Sequence, residues 1–270
     1  MKLAICNETF QGYSWEAACK STAAAGYDGI EIAPFTLAED VRSLDAASRA
    51  AIVQTARGAG LEIVGLHWLL VSPPGLSLTT PDADVRRATA EYLASLVDFC
   101  ADVGGRIMVL GSPKQRRIPS GETAEHATER LAISVQPALD RAADRGITIC
   151  MEPLPPPEAD LLLTLAEASA LVRRLEHPAA KTILDVKSAS SEGRPIPELI
   201  TEYAPLIAHV HANDANRRGP GFGDTDFVPI LAALNQAGYD GYVSVEVFDY
   251  WPDPETIATG SIQALRNAGA

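Results

Sequence analysis

The chain is predicted to fold as a single (β/α)₈ barrel of the α/β class over residues 1–270, because a short apolar run followed by an amphipathic stretch recurs eight times along it. The segments leading into these runs are short and several end on glycine, whereas those leaving them are long, polar and rich in Pro and Gly. That asymmetry is what a barrel shows when its working face lies at the C-terminal ends of its strands.

KLAIC at 2–6 alternates in period two and reads as the first strand, and an amphipathic segment at 14–25 closes on Gly26. DGIEI at 28–32 and LEIVGLH at 61–67 follow, separated by a helical pattern over 45–59 that stops at Gly60. RIMVLG at 106–111 lies between helical stretches at 83–103 and 121–145, and ITICME at 147–152 begins just after Gly146. KTILD at 181–185, LIAHVH at 206–211 and GYVSVE at 241–246 complete the strands, interleaved with helices over 164–175, 196–203, 226–237 and 254–267. Gly26, Gly60, Gly146 and Gly238 each stand where a helix must reverse into a strand, a place for the left-handed C-cap conformation. The first strand leads into ICNETFQGYSW, which lacks the Gly-rich dinucleotide fingerprint of a doubly wound open sheet.

Charge and composition exclude several functions. Twenty-two basic against 35 acidic residues give a net charge of −13, so the basic footprint that nucleic acid requires is missing. Met1 runs directly into a strand with no basic leader or long apolar segment, so a cytoplasmic protein with neither signal peptide nor membrane span is expected. Cys6, Cys19, Cys100 and Cys150 show no C-x-x-C spacing and lie in apolar contexts, which predicts buried free thiols.

Chemistry concentrates in the second half. Glu152, Asp185, His211 and Glu246 stand at the ends of four successive predicted strands, so parallel packing brings all four to one rim. Three carboxylates and one imidazole form a hard, oxygen-rich donor set suited to one divalent ion: Mn²⁺, Mg²⁺ or Co²⁺ first, with Zn²⁺ and Fe²⁺ as further candidates. Each residue also has a structural reading. Asp185 before Val-Lys-Ser fits a helix N-cap, His209 and His211 share a strand face so that one can be a core histidine, and Glu31 fits a carboxylate paired inside the barrel. Four such residues at one relative position of four consecutive βα units favour a site.

A proton on carbon beside a carbonyl is too weakly acidic for an unaided carboxylate, and a divalent ion that polarises the carbonyl stabilises the enediolate. Carboxylates on either side of that plane, Glu152 and Glu246, then allow epimerisation or isomerisation. His67 and Trp68 follow the third strand and are candidates to touch substrate. Glu8, Asn7 and Phe10 open the first βα loop, while Asp214, Asp224 and Asp226 could extend the metal site or cap the next helix. Lys114, Arg116 and Arg117 near the end of the fourth strand are candidates to receive an anionic substrate group, but read first as a solvated loop.

The runs MEP with Glu152, ILD with Asp185, HVHANDANRRGPGFGDTDF with His211 and Arg217, and VSVEVF with Glu246, together with the opening GYDGIEI, resemble the xylose-isomerase-like TIM barrel superfamily, nearest to its D-tagatose and D-psicose 3-epimerase members. The resemblance implies a metal-dependent isomerase or epimerase of a small keto-sugar, polyol or sugar acid. Glu152, Asp185, His211 and Glu246 would be its metal ligands, Glu152 and Glu246 its proton carriers, and Glu158 and Arg217 its substrate contacts. Ketose 3-epimerases of this type carry histidine three residues after the aspartate, where this chain has Ser188 beside Lys187. Within the same fold, a lyase or dehydratase acting on an inosose, a dehydroshikimate-like compound or a 3-keto-glycoside is the alternative. An endonuclease would need further histidines, and a barrel that only binds ligand would not need Glu152 and Glu246. The expected partner is a small carbohydrate, and Tyr250, Trp251, Pro252 and Pro254 mark a pocket wall or the contact of a homodimer or homotetramer.

Overall fold

The computed structural model describes residues 1–270. Its eight strands are β1 (Lys2–Cys6), β2 (Gly29–Ile32), β3 (Glu62–Leu66), β4 (Ile107–Leu110), β5 (Thr148–Met151), β6 (Ala180–Asp185), β7 (Ile207–Ala212) and β8 (Tyr242–Val245). All neighbours pair in parallel, in sequence order, and β8 closes on β1. The outer helices are α1 (Trp15–Ala25), α2 (Ala46–Gly58), α3 (Ala83–Asp102), α4 (Ala124–Arg145), α5 (Leu165–Leu175), α6 (Val186–Ser190), α7 (Ile196–Tyr203), α8 (Phe227–Gln236) and α9 (Pro254–Asn267). None is long and apolar enough to cross a membrane.

The predicted (β/α)₈ barrel is the observed fold, and two local differences have physical causes. The fourth helix begins at Ala124 rather than at 121, because the Thr123 side chain accepts the His126 N–H and caps it there. The five-residue α6 is too short to show a helical period in sequence, and it is set by the Asp185 carboxylate accepting the Ser188 N–H at 2.6 Å. Both readings of Asp185, N-cap and rim carboxylate, therefore hold together. At the bottom, Gly26 (φ 95°) and Gly146 (φ 66°) take the left-handed conformation that ends α1 and α4 and lets the chain enter the next strand.

A core of 63 buried residues fills the layer between strands and helices, and a separate trio, Val109, Cys150 and Ile183, is buried apart from it on β4, β5 and β6. Cys6, Cys19, Cys100 and Cys150 are buried and free, as expected. The remainder of the barrel interior is polar: Cys6, Glu31, His67, His209, His211 and Ser244 are each almost completely buried. Two register shifts fall beside these residues. One between Ile30 and Ile32 brackets Glu31, and another in β7 sets His209 against Ile183 and His211 against Asp185. Irregularities of this kind re-aim side chains toward a site.

Candidate metal centre

Glu152 immediately follows β5, Asp185 ends β6, His211 is the penultimate residue of β7, and Glu246 immediately follows β8. Each offers a ligand atom, all four atoms lie within 4.8 Å of one another, and all four residues are buried. Nδ1 of His211 stands 3.2 Å from Glu246 Oε2 and 3.7 Å from Glu152 Oε1, without a hydrogen-bond partner. A buried imidazole nitrogen aimed at carboxylates is where a cation belongs. The donor set, three hard oxygens and one nitrogen with no thiolate, fits a divalent ion of the Mn²⁺, Mg²⁺ or Co²⁺ kind.

The opposite edge of the imidazole fixes its tautomer. Nε2 of His211 lies 3.1 Å from Glu31 Oε1, and since an ionised carboxylate only accepts, the nitrogen donates. His209 donates to the other oxygen of Glu31 at 2.8 Å. Burial alone would push the Glu31 carboxyl up, but the two imidazoles outweigh it and hold it well below the usual range. Burial opposes charge on His211 as well, yet Glu246 and Glu31 push its imidazole well above its ordinary value. The same negative field favours a bound cation.

The two glutamates have unlike surroundings. Burial, followed by the charges of Glu246 and Asp185, raises Glu152 against the pull of His211. Glu246 is equally buried, but His211, then His67 and Lys187, bring it below the ordinary carboxylate value. Glu246 is also held by a nitrogen donor: Trp68 Nε1 donates to its Oε1 at 3.1 Å. Asn213 Nδ2 donates to Asp185 Oδ2 at 2.6 Å and to Glu246 Oε2 at 3.3 Å, while its Oδ1 accepts the Lys187 N–H at 2.8 Å. Gly111 lies against Glu152, and a Cβ there would collide with Oε2.

The remaining sequence candidates fall as follows. His67 is buried, with Nε2 2.6 Å from Glu8 and Nδ1 3.6 Å from Glu31, so protein carboxylates face both its nitrogens. Trp68 adopts φ 53° and lies against Phe35 and Phe248, with ring centroids 5.9 and 6.3 Å away. Glu158 meets the Lys187 ammonium at 2.8 and 3.1 Å. Ser188 is buried, and its hydroxyl has no partner. Arg217 adopts φ 75°, is exposed, and stands over the Phe248 ring at 5.5 Å. A bulky residue in the left-handed region is strained by roughly 1–3 kcal/mol, and such strain gathers at ligand sites.

Asp226 caps α8 by accepting the Val228 N–H, and Asp214 accepts the N–H groups of Asn216 and Thr225, so both organise the loop after β7. The solvated-loop reading fails for Arg116. It is almost fully buried, donates to the Glu152 carbonyl at 2.6 Å, and is lowered by that burial to about 10. Arg117 is tied to Asp160 and the Pro157 and Glu158 carbonyls. Asn213 was not singled out by sequence, although the period of two through His209 and His211, carried past the strand end, points to it. Beside the centre, Asn7, Glu8, Phe10, Phe35, Trp68 and Tyr250 help to line a cleft of about 550 Å³.

Comparison with known proteins finds relatives over most of the chain. A ketose 3-epimerase of Arthrobacter globiformis is 30% identical over 73% of this chain and 68% of its own. A putative hydroxypyruvate isomerase of Streptomyces coelicolor is 29% identical over 84% of this chain and 82% of its own. The crystal structure of D-psicose 3-epimerase with D-tagatose from Clostridium cellulolyticum H10 superposes with a TM-score of 0.87 over 99% of both chains at 22% identity, which shows a shared fold. The model of the xylose isomerase-like TIM barrel matches residues 19–268, and the chain belongs to that family.

Proposed function

We propose that the protein is a divalent-metal-dependent isomerase or epimerase of a small keto-sugar, polyol or sugar acid. The observation that carries this reading is the convergence of Glu152, Asp185, His211 and Glu246, from four adjacent strand ends, to within 4.8 Å. Relatives named as ketose 3-epimerase and hydroxypyruvate isomerase support the same class of reaction.

Glu152, Asp185, His211 and Glu246 would hold the ion. A bound divalent cation supplies Lewis-acid polarisation of a substrate carbonyl and its neighbouring hydroxyl. The protein's own part is to place two carboxylates on the acidified carbon. Glu246 is oriented by the indole N–H of Trp68 and the amide of Asn213, and Glu152 is confined between Gly111 and the Arg116-anchored end of β5. One carboxylate removes the proton and the other returns one, to the opposite face of that carbon for epimerisation or to its neighbour for isomerisation. Trp68, Phe35 and Phe248 line the rim as an apolar wall beside the buried carboxylates.

The test is a panel of keto-sugars and sugar acids incubated in D₂O with Mn²⁺-loaded protein and followed by NMR. Deuterium entering at carbon beside the carbonyl, with conversion to an epimer or aldose–ketose isomer, is the expected result. Net loss of water or of an aglycone would move the protein to the lyases of the same fold, and an absence of exchange across the panel would remove the proposal.

A further inference from the structure

Two cations share one aromatic ring beside the candidate metal centre. Lys187 Nζ sits 4.4 Å from the centroid of Phe248, and the Arg217 guanidinium carbon sits 5.5 Å from it. Phe248 lies two residues beyond Glu246, and Lys187 lies two residues beyond Asp185. The pair therefore belongs to the wall of the site.

Asp185 and Glu246 add to the negative field around Lys187, but only Glu158 touches its ammonium. Glu158 is the sole ion-pair partner of Lys187, at 2.8 Å, and Arg217 has none. The guanidinium of Arg217 makes no hydrogen bond to the protein, although its backbone is pinned, the carbonyl accepting from the Phe248 and Asp249 N–H groups at 2.9 and 3.0 Å. A strained φ of 75° thus presents a cation that only the Phe248 ring engages. Lys187 differs in being buried, 5% exposed, its backbone N–H fixed by Asn213. An ammonium has three N–H donors, and Glu158 engages two of them at most. Placing an ammonium in a desolvated wall beside a metal site is costly unless an anion shares it.

We propose that Lys187 and Arg217 form a carboxylate clamp, so that the substrate of this site is a hydroxy- or keto-acid of the sugar-acid class rather than a neutral ketose. The clamp rests on the reading of the site as an isomerase or epimerase, and it narrows the substrate to the acid member of that class. Bound across Phe248, the acid group would take the third Lys187 donor and the free face of the Arg217 fork, leaving the adjacent carbonyl and hydroxyl to face Glu152 and Glu246. Arginine and lysine together suit a carboxylate, the first through paired parallel donors and the second as a point charge.

Equilibrium binding separates this inference from turnover. D-Gluconate and D-glucitol share chain length and configuration and differ at C1, so isothermal titration of each into Mn²⁺-loaded protein reads the carboxylate alone. Gluconate is expected to bind about tenfold or more tighter than glucitol. Arg217→Met and Lys187→Met should each reduce that ratio at least about threefold, the first with unchanged Mn²⁺ affinity, and Lys187→Arg should largely restore it. A ratio near one in the wild-type protein would overturn the clamp. So would a preference that survives both Met variants, since it would then come from the metal ion. Arg217 is exposed, so its variant reports even if Lys187→Met fails to fold. Deuterium exchange on neutral ketoses with no preference for gluconate would sink the clamp and leave the isomerase reading standing. A clamp without exchange would do the reverse.

Discussion

All four candidate metal donors come from β5 to β8, whereas β1 to β4 and their loops supply groups that hold three of them in place; Asp185 is held within the second half, by Asn213 and the Ser188 N–H. Glu31 on β2 fixes the His211 imidazole, Trp68 after β3 holds Glu246, and Gly111 and Arg116 after β4 position Glu152. The donors meet through a local rule, the same place at the end of each strand. Glu31 and Trp68 meet theirs across the barrel, 180 residues apart for Glu31 and His211 and 178 for Trp68 and Glu246, whereas Gly111 and Arg116 reach Glu152 from the neighbouring β4. A closed barrel makes this division possible, because β1 and β8 are neighbours and the interior is shared by all strands.

If the halves divide the work in this way, changes in the second half remove the reaction and changes in the first half weaken it. The largest effect is expected from Glu152→Gln or Glu246→Gln, each lowering the rate of solvent deuterium exchange by about 10²–10⁴-fold. Removing divalent ions with EDTA should silence exchange, and adding back Mn²⁺ should restore it. A glutamine variant that exchanged at the wild-type rate would break the assignment of proton carriers.

Glu31→Gln tests the other half. The amide keeps the shape but loses the charge that orients His211 with Nδ1 toward the carboxylates, so Mn²⁺ affinity should fall about 10–100-fold by competition with a fluorescent chelator. Exchange measured at saturating Mn²⁺ should change much less. Equal metal affinity in the variant would mean that His211 holds its tautomer without β2, and the division between halves would fail.

Gly111→Ala asks whether the fit around Glu152 matters. The added methyl needs the space of Glu152 Oε2, and a carboxylate displaced by about an ångström loses roughly 10²-fold or less in rate. Trp68→Phe is gentler. It keeps an aromatic ring against Phe35 and Phe248 but removes the N–H on Glu246, a bond whose net value of about 0.5–1.5 kcal/mol corresponds to a two- to tenfold loss.

The same contrast explains what could be read from sequence. Eight strands and their helices were visible because hydrophobic period and glycine stops are local, and the donors were visible because each occupies the same place in its own unit. Glu31 fits a carboxylate paired inside the barrel, but its sequence does not name its partners, because His209 and His211 lie on a strand far along the chain. Arg116 read as a solvated basic loop because nothing in its neighbours shows that its guanidinium turns inward to the Glu152 carbonyl. Asp185 was read both as cap and as ligand candidate, and the five-residue α6 allows both roles because its two oxygens face different ways, one to Ser188 and the other to Asn213. Lys187 carries no local signal beyond its place beside Ser188, because Glu158 approaches it from the loop after β5.

The smallest effect belongs to charges of the first half that lie outside the barrel. Asp102, at the end of α3, accepts from Arg49 of α2 at 2.7 Å and from Arg145 of α4 at 2.6 Å, tying three outer helices. Partial burial would raise its carboxyl, but these two arginines hold it below the ordinary value. A depressed carboxylate contributes its stabilisation above the unfolded pKa, about 3.9, and loses it as pH falls through the folded value. Since the Asp102 side chain is 39% exposed, screening limits the contribution to about 1 kcal/mol or less. Asp102→Asn should therefore lower the thermal midpoint slightly at pH 7, and the difference from wild type should shrink as pH falls below about 3.9 and through the depressed folded value. Mn²⁺ affinity at pH 7 should be the same in both proteins. A change in that affinity would mean that the outer helices of the first half reach the metal centre, and the support it receives would then extend beyond the groups that touch its donors.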